Sequence, residues 1–107
     1  MTESEFYDQV DETLQHIEEI LDEAETDLDY RNAGGILTVI CENGSQVIFT
    51  RQTPVKQLWV AARSGGFHFD FDSETKRWVR DTDQQPLADL LQAVFSEQAG
   101  ETFSFDL

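Results

Sequence analysis

The stretch Gln57-Leu-Trp-Val-Ala-Ala-Arg-Ser-Gly-Gly-Phe-His-Phe-Asp-Phe71 decides the fold. Its first half alternates, with Leu58, Val60 and Ala62 on one side of an extended chain and Gln57, Trp59 and Ala61 on the other. Gly65 and Gly66 supply a turn, after which Phe67, Phe69 and Phe71 point one way and His68 and Asp70 the opposite way. Two strands, Lys56 to Ala62 and Phe67 to Phe71, thus each have one apolar and one mixed side. That pattern marks an antiparallel sheet covered on one face and open on the other. The three phenylalanines belong to the covered face; Trp59, His68 and Ile40 belong to the solvent-facing one. On such an open face an exposed tryptophan is a favoured anchor for a protein partner.

Working outward, Ile36 to Glu42 and Gln46 to Arg51 flank Glu42-Asn-Gly-Ser45, where Asn-Gly accepts the positive φ of a tight hairpin turn. Pro54 breaks the run before the third strand, and Lys76 to Arg80 follows a polar loop as a fifth. Short strands in succession read as an antiparallel meander. Beyond them, Pro86 can open a helix without losing a hydrogen bond, and Leu87, Leu90, Leu91, Val94 and Phe95 keep helical spacing until Gly100 stops it. Thr102 to Phe105 adds a sixth strand or packs in extended form. Before the sheet, Phe6, Val10, Leu14, Ile17, Leu21, Ala24 and Leu28 recur three and four apart and gather on one face of a first helix. Thr2 and Glu5 form its capping box, and Asn32 to Gly35 punctuates the chain after it. Helix, strands, helix argues for an α+β two-layer sandwich: two helices on one face of a twisted antiparallel sheet of five or six strands.

That first helix carries most of the charge. Residues 1–30 hold twelve carboxylates and no Lys or Arg, so they contribute −12 of the net −15. Asp11, Glu18, Asp22, Glu25 and Asp29 fall along one stripe of the helical wheel, with Asp8, Glu12, Glu19 and Glu23 beside it. The like-charge pairs Asp8/Glu12, Glu18/Asp22, Glu19/Glu23, Glu23/Asp27 and Glu25/Asp29 each cost roughly 0.2–0.5 kcal/mol, about 1–2.5 together. Asp22 to Asp29 also crowd the negative end of the helix dipole. Two readings follow: a solvated acidic face, or a surface built for a cation or a basic partner.

At 107 residues the chain is long enough for one domain, 1–107. It has no apolar run of eighteen, so no membrane span is expected. An acidic amino terminus is the opposite of a basic presequence, which points to the cytoplasm. The single cysteine, Cys41, excludes an internal disulfide and reads as a packed core thiol. Nucleic acid is a poor partner for so negative a surface. No nucleophile triad, zinc-protease motif, phosphate loop or dinucleotide fingerprint appears, so no enzymatic activity is expected. Asp70, Asp72, Glu74 and Asp81 resemble the start of a calcium loop, but Thr75 stands where that loop needs glycine, so they read as solvated acids.

Several segments together resemble the bacterial frataxins, the CyaY type. They are His16-Ile-Glu-Glu-Ile-Leu-Asp-Glu-Ala-Glu-Thr-Asp-Leu-Asp29, Gly34-Gly35-Ile-Leu-Thr, the Glu42-Asn-Gly turn, Arg51-Gln-Thr-Pro54, Gln57-Leu-Trp-Val-Ala61, Gly65-Gly-Phe-His-Phe-Asp70 and Gln98-Ala-Gly-Glu-Thr-Phe-Ser104. The resemblance covers nearly the whole chain and implies a frataxin-like fold and a role in iron-sulfur cluster assembly. It further implies weak binding of Fe²⁺ and Fe³⁺ and docking on a cysteine desulfurase of the IscS type. The family's acidic ridge maps onto Glu18, Glu19, Asp22, Glu23, Glu25, Asp27 and Asp29. Often it continues two residues further with another acid, where this chain has Arg31. Glu18, Glu19, Asp22 and Glu23 are the implied desulfurase contacts, and Trp59, with His68 beside it, an implied contact with the desulfurase or the cluster scaffold protein.

Elementary coordination chemistry agrees with such a ridge. Carboxylates four apart on an exposed helix share a hard cation from one side only, so the metal keeps many waters, affinity is micromolar or weaker, and other divalent or trivalent cations are accepted. His16 adds a nitrogen donor one turn before Glu19, which favours Fe²⁺ over Ca²⁺; a solvated surface histidine is the alternative. The different-class reading is a metal-independent acidic interaction module that blocks a basic partner surface.

Overall fold

The structure, a computed structural model, describes residues 1–107. Helix α1 spans Glu3–Leu21; strands β1 (Asp29–Ala33), β2 (Ile36–Ile40), β3 (Gln46–Gln52), β4 (Gln57–Ala62), β5 (Gly65–Asp72) and β6 (Arg77–Arg80) follow, with a 3₁₀ turn at Thr53–Val55, and α2 spans Leu87–Gln98. The strands form one sheet in the order β1-β2-β3-β4-β5-β6, every neighbouring pair antiparallel. Because each strand pairs with the next in sequence, every connection is a hairpin or short turn. At the β2–β3 turn Gly44 takes φ 85°, and Asn43 Oδ1 accepts from the Ser45 N–H and hydroxyl while its amide donates to the Gln98 carbonyl.

Both helices cover one face. Phe6, Val10, Leu14, Ile17 and Leu21 of α1 and Leu87, Leu90, Leu91, Val94 and Phe95 of α2 join Leu37, Val39, Val47, Phe49, Leu58, Val60, Phe69 and Trp78 in one cluster of buried side chains. Each such side chain contributes about 1.5–3 kcal/mol of burial, which holds an acidic helix against its own repulsion. The capping box is present, with Thr2 accepting from the Glu5 N–H and Glu5 accepting from the Thr2 N–H. Among the three expected inward phenylalanines, Phe69 is fully buried, Phe71 meets Trp78 edge-on at 5.2 Å, and Phe67 lies half-buried under the Arg80 guanidinium, 4.8 Å from its ring centre. Cys41 is buried, and burial pushes its thiol up from the ordinary range, as a core thiol requires.

Two local features differ from the sequence expectation, and a third decides between alternatives it left open. Helix α1 stops at Leu21 rather than running to Leu28, since its last turn holds no basic residue and is loaded with carboxylates at the negative dipole end. Ala24 and Leu28 still pack against the core, but from a loop. Of the five i+4 pairs only Asp8/Glu12 therefore lies wholly within the helix; Glu18/Asp22 ends on its C-cap, Glu19/Glu23 reaches into the turn beyond, and Glu23/Asp27 and Glu25/Asp29 lie outside it. Second, Asp29–Ala33 is a strand, and Asn32 to Gly35 carries the turn of its hairpin with β2. Third, Thr102 to Phe105 takes the extended alternative and not the strand, with Phe103 and Phe105 buried 5.7 and 5.6 Å from the Phe95 ring. No helix is long and apolar enough to cross a membrane.

Candidate functional site

The acidic segment is held from three directions. On the flank of α1 that faces the sheet, Asp11, Glu18 and Asp22 line up, as the helical wheel requires. Each meets one donor from a strand. Arg51 approaches Asp11 at 3.7 Å while stacking 4.3 Å over the Tyr7 ring; Asn32 donates to Glu18 at 3.3 Å; the Tyr30 hydroxyl donates to Asp22 at 2.5 Å. The bond to Asp22, with help from desolvation and the nearby negative charge, pushes the Tyr30 hydroxyl up to about 12. Tyr30 and Asn32 reach the helix because they sit two apart on edge strand β1. By the same alternation Asp29 and Arg31 belong to the opposite, open side of the sheet. The structure therefore does not bring Asp29 beside Asp22, and Arg31 does not interrupt the helical part of the ridge.

Glu19 and Glu23 occupy the exposed outer surface of α1 and the turn after it, and neither forms a salt bridge. Glu25 and Asp27 are exposed on the loop that follows. That loop is gripped by the C-terminal tail. The Glu101 carboxylate accepts from the backbone N–H of Glu25 at 3.0 Å and of Thr26 at 2.9 Å and from the Thr26 hydroxyl at 2.8 Å. These bonds hold the Glu101 carboxyl below the usual carboxylate range.

His16 lies on the other flank of α1, toward the tail, its Nε2 3.3 Å from Asp106. It is thus separated from Glu18 and Asp22 and is satisfied by a tail carboxylate. No three His, Cys, Asp or Glu side chains converge on one point. The ridge offers hard oxygen donors in a row, suited to a hydrated cation or to several basic side chains, and lacks the closed geometry of a structural metal centre. The second acidic cluster is dispersed by local bonds: Asp70 accepts from Gln57, Asp72 from the Glu74 N–H, and Asp81 sits 3.8 Å from His68.

On the open face Trp59 and His68 are direct cross-strand partners, and their rings stack at 4.2 Å and 15°. The Trp59 indole donates to Gln57, whose amide donates to Asp70, so the indole is fixed rather than free to rotate. The residues in register with this pair are Thr50 and then Ile36, which is 42% exposed. Ile40 lies on this same open face, as expected, but at the far end of β2, where it pairs with Gln46 and Asp29 and is half-buried. Sequence reasoning overlooked Tyr30, Asn32, Glu101 and Asp106. The first two carry a faint signal in their i, i+2 spacing, whereas the tail residues carry none.

Comparison with known proteins identifies the family and the fold. A model of the frataxin-like domain family matches residues 1–101. The chain is 51% identical to the iron-sulfur cluster assembly protein CyaY of Pseudomonas aeruginosa over 105 residues, 98% of this chain and 97% of that one. It is 47% identical to the protein of that name from Pseudomonas fluorescens, with 99% and 96% covered. Among solved structures, frataxin from Psychromonas ingrahamii superposes with a TM-score of 0.91 at 34% identity over all of both chains. The trimeric frataxin of Saccharomyces cerevisiae complexed with ferrous iron shares the fold at a TM-score of 0.69 and 23% identity, with 94% of this chain and 88% of that one covered. A family model over residues 1–101, together with relatives 47% and 51% identical over nearly the whole chain, shows that this chain belongs to the frataxin family.

Proposed function

We propose that this protein serves iron-sulfur cluster assembly as a non-catalytic, iron-binding adaptor that docks on a cysteine desulfurase through its acidic ridge. The observation that carries the reading is the imbalance on α1 and its loop. Asp11, Glu18 and Asp22 meet one sheet donor each, while Glu19, Glu23, Glu25 and Asp27 face solvent without a salt bridge. The names of the bacterial relatives and the ferrous complex of the yeast protein support it.

Iron is the cargo in this scheme. Fe²⁺ or Fe³⁺ is held by pairs of carboxylates among Glu18, Glu19, Asp22 and Glu23, with Glu25 and Asp27 extending the field and water completing the coordination. Asp29, on the open side of the sheet, stands apart from this row. Affinity is weak, and other divalent or trivalent cations compete. The same carboxylates attract a basic groove on the desulfurase and raise its rate of encounter, an effect that weakens with salt. Trp59 and His68 present a rigid aromatic platform to the desulfurase or to the cluster scaffold protein. An open ridge excludes no water and shapes no transition state, so it carries and positions metal without transforming it.

Titration with Fe²⁺ under anaerobic conditions, followed by thermal melting at matched ionic strength, tests the metal half. Relief of ridge repulsion raises the Tm of the wild type beyond the effect of monovalent salt, and an E18Q/E19Q/D22N/E23Q variant loses that increment. Equal shifts in both proteins would remove the ridge as the metal site. The scattered placement of the carboxylates favours one second reading, a metal-independent acidic module that blocks a basic partner surface. In that case iron leaves the affinity for the partner unchanged.

A further inference from the structure

We infer that Glu101 is a positioning residue for the ridge: its carboxylate clasps the acidic loop after α1 and holds the loop's own carboxylates in register with those of the helix. The inference rests on the ridge reading above and adds to it a residue outside the row of ridge carboxylates, which acts through the backbone of the loop.

The geometry is unusual for so negative a region. A seven-residue connection, 22–28, joins α1 to β1 and carries Asp22, Glu23, Glu25 and Asp27. Mutual repulsion favours splaying these groups apart. No Lys or Arg lies in this connection, and no salt bridge reaches it. What holds it is another carboxylate. Glu101 takes both loop N–H groups and the Thr26 hydroxyl, bonds that span 75 and 76 residues of sequence. Backbone donors accept its negative charge where side-chain cations are missing, and charge-assisted bonds of this kind are the strong ones. The tail is itself anchored, because Phe103 and Phe105 are buried against Phe95 two and four residues further on. The clasp thus transmits the rigidity of the core to a loop that has only Ala24 and Leu28 to pack with. On the helix side Tyr30 and Asn32 do the same for Asp22 and Glu18. Together they preorganise a row that repulsion would otherwise disperse, and residues that orient ligating groups are commonly worth about 10–100-fold in metal affinity.

Two variants test the proposal from both sides of the contact: Glu101→Ala removes the acceptor, and Thr26→Val removes one donor while leaving the net charge at −15. Glu97→Ala, on the exposed side of α2, controls for the lost charge. The readout is residue-resolved NMR with La³⁺ as a redox-inert trivalent probe, together with amide hydrogen exchange. In Glu101→Ala the amides of residues 25 and 26 lose protection. La³⁺ affinity falls about tenfold, and the La³⁺ response vanishes at Glu25 and Asp27 but persists at Glu18, Glu19 and Asp22. Thr26→Val moves in the same direction by less, and Glu97→Ala leaves the pattern unchanged. A general loss of stability would weaken all ridge amides alike, so the helix-versus-loop split is specific to a positioning role. Full wild-type response in both Glu101→Ala and Thr26→Val would overturn the clasp while leaving the ridge intact. Absence of any ridge response in the wild type would overturn the ridge reading and the clasp with it.

Discussion

Helix α1 presents two sides to the molecule, and they obey opposite rules. Its inner side places Phe6, Val10, Leu14, Ile17 and Leu21 against the sheet at 3% exposure or less, in a core where no buried side-chain polar atom lacks a partner. Its outer side and the loop beyond carry a row of carboxylates that the sheet satisfies only in part. The inner side gains stability from every atom it buries, whereas the outer side gives some of that stability up. The difference teaches that the charge is separable from the fold: substitutions inside should weaken the protein, and substitutions outside should strengthen it while removing what the ridge does.

The largest effect expected lies inside. Phe49 sits on β3, near the middle of the six-stranded sheet, with no exposed surface, and Phe49→Ala should lower unfolding free energy by about 3–5 kcal/mol in chemical denaturation. A loss near zero would mean that the covered face is not the core. Next comes Gln98, the one buried polar residue, which accepts from the Arg63 N–H at 2.8 Å and donates to the Ser45 hydroxyl and the Gln46 carbonyl. It ties the end of α2 to two hairpins. Gln98→Ala strands these groups and should cost about 1–3 kcal/mol, with lost exchange protection at Arg63 reporting the break.

Outside, the sign reverses. Glu19→Gln removes a charge near the negative end of α1 and its repulsion with Glu23, and should stabilise by about 0.3–1 kcal/mol at low salt. The gain should fade as salt is added; a destabilised variant would contradict the separation of charge from fold.

The smallest effects are read by pH. Tyr30 has a folded-state pKa of about 12, above the ordinary value of 10.0, so its bond to Asp22 contributes fully below pH 10 and is lost as pH rises through 12. Phenolate absorbance should show this late step, and Tyr30→Phe should abolish it. Glu101 is depressed, so its contribution is present above its ordinary 4.5 and is lost as pH falls through the lower folded value. Glu101→Ala should flatten that part of the acid-stability curve.

Much of this was readable from sequence for a definite physical reason. Period 3.6 in Phe6 to Leu21 and period 2 in Gln57 to Phe71 each follow from a side facing the core, and the structure places those sides together. Strand β1 escaped notice because it is an edge strand with only Tyr30 half-buried, so it carries no alternation. The end of α1 was hidden because Ala24 and Leu28 keep helical spacing while the charges that break the helix lie on its other side. The crowding of twelve carboxylates in residues 1–30 is plain in the sequence, but it is the resemblance to the frataxins that singles out Glu18, Glu19, Asp22 and Glu23 among them. What steadies them could not be read there, since Tyr30, Asn32 and Glu101 act across turns of chain that only the folded sheet and tail bring close. Trp59 and His68 were assigned to the same face, and their stacking follows from a cross-strand register that sequence alternation does not set.

The central claim is that the ridge docks on the desulfurase and responds to iron. The most direct measurement is the affinity of a purified cysteine desulfurase for the wild type and for a folded E18K/E19K/D22K/E23K variant, at physiological salt, with and without Fe²⁺. The account predicts that the variant loses binding and that iron changes the affinity of the wild type. Equal binding by the two proteins would contradict it and shift docking to Trp59 and the open face of the sheet.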